Sequence, residues 1–120
     1  MPLVTLYVNQ AVLEICGKPQ LAAFHDFLAQ KDMFATTPGI LQVNLVQTAN
    51  MHPNPNGVFV SIRCKGTKER TKEKLSSILQ RAGEHLVKAL GRDCKLRLEC
   101  FEPDLQLAVK VAAKQEQAKL

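Results

Sequence analysis

Long hydrophobic runs are missing. Nowhere among the 120 residues do about 18 consecutive apolar side chains occur, so no helix of the length a bilayer demands is expected. The N-terminus lacks the basic region and apolar stretch of a secretory leader, and a cytoplasmic protein is expected. Cys16, Cys64, Cys94 and Cys100 include no Cys-x-x-Cys pair, which argues against a zinc ribbon or a thioredoxin-like centre. His25, His52 and His85 show no metal-ligand spacing, so neither a metal nor another cofactor is expected. The glycine fingerprint of dinucleotide binding, the phosphate loop and the nucleophile elbow are also missing. Charge of one sign is in modest excess: 16 Lys and Arg against 11 Asp and Glu, a net +5.

What is present is a hydrophobic content of 46%, enough for one packed core and too much for a disordered chain. Large enzymes, multidomain receptors and low-complexity fibres are excluded by length and composition. One domain is expected over residues 1–105, followed by a tail over 106–120. A core of this kind needs no staples, so the four cysteines read as free, buried thiols.

Leu3 to Val8, rich in β-branched and aromatic side chains, predicts a first strand. The Gly17-Lys18-Pro19 break opens a helix whose buried face carries Leu21, Phe24, Phe27 and Leu28. Thr36-Thr37-Pro38-Gly39 is a turn cluster. Ile40 to Thr48 then alternates, with Leu41, Val43 and Leu45 on one side and Gln42 and Asn44 on the other. Pro53-Asn54-Pro55-Asn56-Gly57 is a strong turn signal, and Val58 to Lys65 reads as a third strand, antiparallel to the second in a hairpin.

A helix is predicted over Lys68 to Leu90, with a stripe of Leu75, Ile78, Leu79, Ala82, Leu86, Ala89 and Leu90, and Gly91 as its C-terminal stop. Leu96, Leu98 and Cys100 alternate with Lys95, Arg97 and Glu99 in a fourth strand that Pro103 ends. The tail has weak helical character to about Ala113. The resulting order, β-α-β-β-α-β, predicts an α+β domain: a four-stranded sheet with two helices on one face. Ferredoxin-like domains and the tautomerase fold share this order, and periodicity does not separate them.

Two features carry candidate chemistry. A small residue such as Pro2 after an initiator methionine usually permits removal of the methionine, which leaves a secondary amine. Burial disfavours its protonated form, so that amine can act as a general base near neutral pH. The bland alternative is a proline that merely starts an edge strand. The second feature is the basic stretch of Arg63, Lys65, Lys68, Arg70, Lys72 and Lys74, with only Glu69 and Glu73 against it. Near a helix start it reads as an anion site, or as a solvated face whose lysines pair with those glutamates. His25 and His85 lie among or beside apolar helix positions and read as packing or surface residues. A nucleic-acid module of this topology would expose sheet aromatics such as Phe59 and Phe101, but the strand signature that goes with them is missing.

In combination and in order, several segments resemble the tautomerase superfamily, most closely its 5-carboxymethyl-2-hydroxymuconate isomerase branch. They are Met1-Pro2 with its strand, Phe34…Pro38-Gly39-Ile40, Val43 through Met51, Val58-Phe59-Val60, Lys65 with Arg70, and Leu96-Arg97-Leu98. The likeness runs from Met1 to about Leu105. It implies a homotrimer with active sites near subunit boundaries, a tail docked on the trimer, no cofactor, and a role in aromatic catabolism. It further implies Pro2 as the base that moves a proton between carbons of a dienol and its conjugated ketone. Arg70 would then hold the carboxylate of a small unsaturated 2-hydroxy or 2-oxo acid. Where that branch carries arginines early in the second strand, this chain has Leu41 and Gln42, so a dicarboxylate would lose an anchor. A catalytically inactive binding or assembly protein on the same fold is the alternative. Neither a membrane nor a nucleic acid is an expected partner.

Overall fold

The computed structural model describes residues 2–35, 40–48, 57–102 and 107–113. The expected turn at 36–39, the proline-rich turn at 53–56, Met1, His52 and Pro103 lie outside the described residues.

Strand β1, Leu3–Val8, buries Val4, Leu6 and Val8 completely, because alternate side chains of a strand share one face. Asn9 then caps a helical turn, α1, Gln10–Leu13, by accepting the Val12 N–H on its side chain at 3.0 Å. This turn was not expected from periodicity, since four residues are too few to show one. Helix α2, Lys18–Ala29, begins where predicted, with proline in its first turn and the Gln20 side chain accepting the Gly17 N–H at 2.9 Å. Phe24 and Leu28 are its fully buried residues, while Leu21 and Phe27 pack at the margin.

Strands β2, Gln42–Gln47, and β3, Val58–Lys65, also fall where the alternation placed them, but they do not form a hairpin. The sheet order is β2-β1-β3-β4, with β1 between the two expected partners. β2 pairs parallel to β1, Leu3 facing Gln42, and β3 pairs antiparallel to β1, Leu3 facing Arg63. The physical reason lies in burial. β1 and β3 each carry an uninterrupted alternation of buried side chains and take the centre, whereas Gln42, Val46 and Gln47 are exposed and suit an edge. This order also excludes the ferredoxin-like alternative, in which the first and second strands are not neighbours.

Helix α3 spans Lys72–Leu90, four residues shorter at its start than the sequence suggested. Lys68 and Glu69 form a turn, the Arg70 N–H reaches the Thr67 carbonyl at 3.2 Å, and Thr71 caps the helix by accepting the Lys74 N–H at 3.2 Å. Ile78, Ala82, Leu86 and Leu90 are buried, and Ala89 is exposed, outside the stripe in which it was placed. Gly91 closes the helix at φ 64°, a left-handed conformation that glycine adopts without steric cost. Strand β4, Cys94–Phe101, runs parallel to β3.

The buried residues of both long helices and of β1 and β3 form one cluster, so the helices cover a single face of the sheet. The opposite face carries Leu3, Tyr7, Phe59, Arg63, Lys65, Lys95 and Arg97, all at least partly exposed. Residues 107–113 are neither helix nor strand, which corrects the helical expectation for the tail; Leu107, Val109 and Val111 are 91%, 86% and 85% exposed. No helix among the described residues is long and apolar enough to cross a membrane.

Candidate active site

At one end of the sheet, four chain segments converge. The Gln42 N–H donates to the Pro2 carbonyl at 3.4 Å, and one further step of the β1–β2 and β1–β3 registers sets Pro2 between Leu41 and Cys64. Cys64 faces Cys100 in the β3–β4 register. Leu41, Pro2, Cys64 and Cys100 thus form a row across the sheet, and the first three are buried. The Pro2 side chain is among those less than 2% exposed.

Arg70 reaches this end from the turn before α3. Its Nη1 donates to the Lys65 carbonyl at 2.8 Å, and its guanidinium carbon lies 5.9 Å from the centre of the Phe34 ring. That arrangement holds the guanidinium against an apolar wall. Its charge is felt by Cys64: burial, then the Cys100 thiol, push the Cys64 thiol up to about 11, and Arg70 pulls the other way. A recess of about 370 Å³ lies here, lined by Arg70, Lys72, Leu75, Leu79, Leu98 and Cys100. A larger groove of about 700 Å³ runs between α3 and β4, past Glu84, Lys88, Val87 and Leu96, and does not include Arg70. The smaller recess is the better candidate, because it holds Arg70, whose planar guanidinium suits a carboxylate, beside Leu75, Leu79 and Leu98.

The basic stretch does not act as one patch. Arg63 and Lys65 are exposed on the open face of β3, since Ile62 and Cys64 occupy the helix-covered face. Lys68 lies in the turn, and Arg70 and Lys72 remain with the recess. Arg70 precedes the helix and its cap, so its side chain, rather than the helix N-terminus, presents the charge. Leu41 is buried, and its carbonyl lies 2.9 Å from His25 Nε2; Gln42 is exposed. These two second-strand positions therefore offer a buried apolar side chain and an exposed neutral amide, and no cation.

Packing explains His85, whose ring stacks on Phe27 with centres 4.6 Å apart. The expectation of four buried thiols holds for Cys16 and Cys64, but Cys94 is half-buried and Cys100 exposed. The closeness of Cys64 and Cys100 was missed. Their alternation in β3 and β4 was visible, but their adjacency depends on a register between distant segments. Among the described residues no group of three or more His, Cys, Asp or Glu side chains is arranged to hold a metal ion.

Neither a family model nor a curated protein matches the chain. Solved structures do. The chain is similar to Pt0534 inactivated by 2-oxo-3-pentynoate, with 17% identity over 87% of this chain and 89% of that one and a TM-score of 0.70. It is similar to N1, a member of the cis-3-chloroacrylic acid dehalogenase family, with 10% identity over 98% and 87% of the two chains and a TM-score of 0.67. It is also similar to the Q0 fused 4-OT wild-type symmetric trimer, with 15% identity over 97% and 98% and a TM-score of 0.65. At such identities the likeness is one of fold: the α+β, tautomerase-like arrangement of four strands and two covering helices.

Proposed function

We propose that this protein is a cofactor-free keto–enol tautomerase acting on a small unsaturated 2-hydroxy or 2-oxo carboxylate. Pro2 is the general base and Arg70 binds the carboxylate. The observation that carries this reading is the placement of a fully buried Pro2 beside Cys64, which in turn senses the Arg70 charge. With Met1 removed, the Pro2 nitrogen is a secondary amine whose surroundings disfavour its protonated form. It takes a proton from the substrate at one position and returns it to a carbon at another. No electron is gained or lost in that exchange, so the reaction needs no redox partner. Arg70 pairs its planar fork with both carboxylate oxygens and its charge favours the intermediate enolate.

The neutral positions Leu41 and Gln42 point to a monocarboxylate rather than a dicarboxylate. The open sheet face, where the Tyr7 and Phe59 rings lie 5.9 Å apart and which the exposed Leu3 shares, supports assembly with further copies of the chain, as a homotrimer. The fold's neighbour described as a symmetric trimer is consistent with this.

The deciding experiment begins with the intact mass of the protein from its native host, followed by ketonisation of a carboxylated dienol. A mass one methionine short, with a loss of about 10²- to 10⁴-fold in Pro2→Ala, is the expected result. Arg70→Ala should raise KM by about tenfold or more. A retained methionine, or equal rates in wild type and Pro2→Ala, overturns the assignment. The same neutral Leu41 and Gln42 favour a second reading, a non-catalytic binding or assembly protein. Trimers in light scattering without proline-dependent turnover would establish that one instead.

A further inference from the structure

We propose that Cys64 and Cys100 form a dithiol site that an anionic small-molecule disulfide of the glutathione class oxidises to an intramolecular disulfide. The two residues are direct partners across parallel strands, and their sulfurs lie 3.5 Å apart. Neighbouring strands are spaced about 4.7–4.9 Å apart, within the roughly 4.4–6.8 Å that Cα atoms span across a disulfide, so the bond needs little backbone movement.

The two thiols differ in access, which sets an order of events. Cys100 is exposed and Cys64 is fully buried. Cys100, as its thiolate, attacks one sulfur of the incoming disulfide, forms a mixed disulfide and expels one thiolate. Cys64 then attacks the Cys100 sulfur, its proton passing to the small thiolate that leaves. Both cysteines are oxidised and one small disulfide is reduced to two thiols.

Burial first, and the neighbouring Cys100 thiol second, hold Cys64 protonated, so Cys100 is the thiol that reacts first. Arg70 and Lys72 line the same recess as Cys100 and set the oxidant's charge. An anionic disulfide is drawn to that recess and a cationic one is repelled. This inference does not depend on Pro2 or on any isomerase activity.

The test incubates the reduced, full-length protein separately with glutathione disulfide and with cystamine, and follows intact mass and peptide maps. The wild type should lose two hydrogens, with the new bond mapped to Cys64 and Cys100. Cys64→Ser, or Cys64→Ala if the serine is not tolerated in the buried position, should keep a stable glutathione adduct on Cys100. Cys100→Ser should leave Cys64 unreacted. Glutathione disulfide should react about tenfold or more faster than cystamine at low ionic strength, and salt should shrink that ratio. Thiols that stay free, an adduct that persists on wild-type Cys100, or a disulfide mapped to Cys16 or Cys94 overturns the site. Equal rates with the two reagents overturn the anionic preference.

Discussion

The β1–α2–β2 and β3–α3–β4 units share a topology, a parallel strand pair bridged by a helix, yet they are finished differently. Helix α2 has 12 residues, starts at a glycine and stops at Gln30 without a left-handed residue. Helix α3 has 19 residues, a threonine cap and Gly91 in the left-handed region. The first unit has local signals at its helix start alone and otherwise depends on packing through Phe24 and Leu28, while the second is finished at both helix ends. Because β1 and β3 run antiparallel, the start of one unit meets the end of the other's first strand. Pro2 is set opposite Cys64 there, and Cys64 feels the Arg70 charge. The proposed site thus draws on both units, and neither holds it alone.

The sharpest way to break this comparison is to attack the packing of the first unit. Phe24→Ala should cost about 3–5 kcal/mol in urea unfolding, because a completely buried ring leaves a cavity. A loss below about 1 kcal/mol would show that α2 is held by something other than its core ring.

The caps come next in size. Thr71→Ala should cost about 1 kcal/mol, since it removes the acceptor for the Lys74 N–H. The mirrored change, Gly17→Ser, meets only ordinary contacts and should gain a few tenths of a kcal/mol. Equal and opposite shifts in the two would erase the distinction between a helix start with a threonine cap and one with glycine.

The smallest effect concerns the joint between the helices. Burial lowers the His85 pKa from its ordinary 6.5, so the unfolded chain binds this proton more readily than the folded one. The stabilisation is present above 6.5 and is lost as pH falls through the lowered value. Stability measured against pH should fall less steeply over that range in His85→Gln than in the wild type. Identical slopes would remove His85 from the coupling of α2 and α3.

Most of the elements were legible in the amino-acid order. The alternation from Leu3 to Val8 and from Val58 to Lys65 fixed those strands to the residue. Proline and glycine marked the start of α2 and the end of α3. Hydrophobic period is a local property, and the chain reports it locally. The start of α3 was read too early because Lys68 to Arg70 continue a polar, helix-compatible pattern. Thr71, whose side chain satisfies a backbone N–H there, sets the true boundary.

The candidate site divides in the same way. Pro2 and Arg70 could be singled out as residue types at telling places: one beside an initiator methionine, the other near a helix start. Their shared neighbourhood could not be read, because Pro2 lies far from both Cys64 and Arg70 in sequence. Strand pairing sets Pro2 opposite Cys64, and the turn before α3 brings the Arg70 charge to bear on Cys64.

The sequence by itself determined the α+β class, the four strands, the two long helices and most of their buried faces. Tertiary structure decided that β1 lies between β2 and β3, that Arg70 turns back to Lys65, and that Cys64 meets Cys100. Periodicity orients a side chain within its own element. Which elements become neighbours depends on burying every apolar face at once, and that is a property of the whole chain.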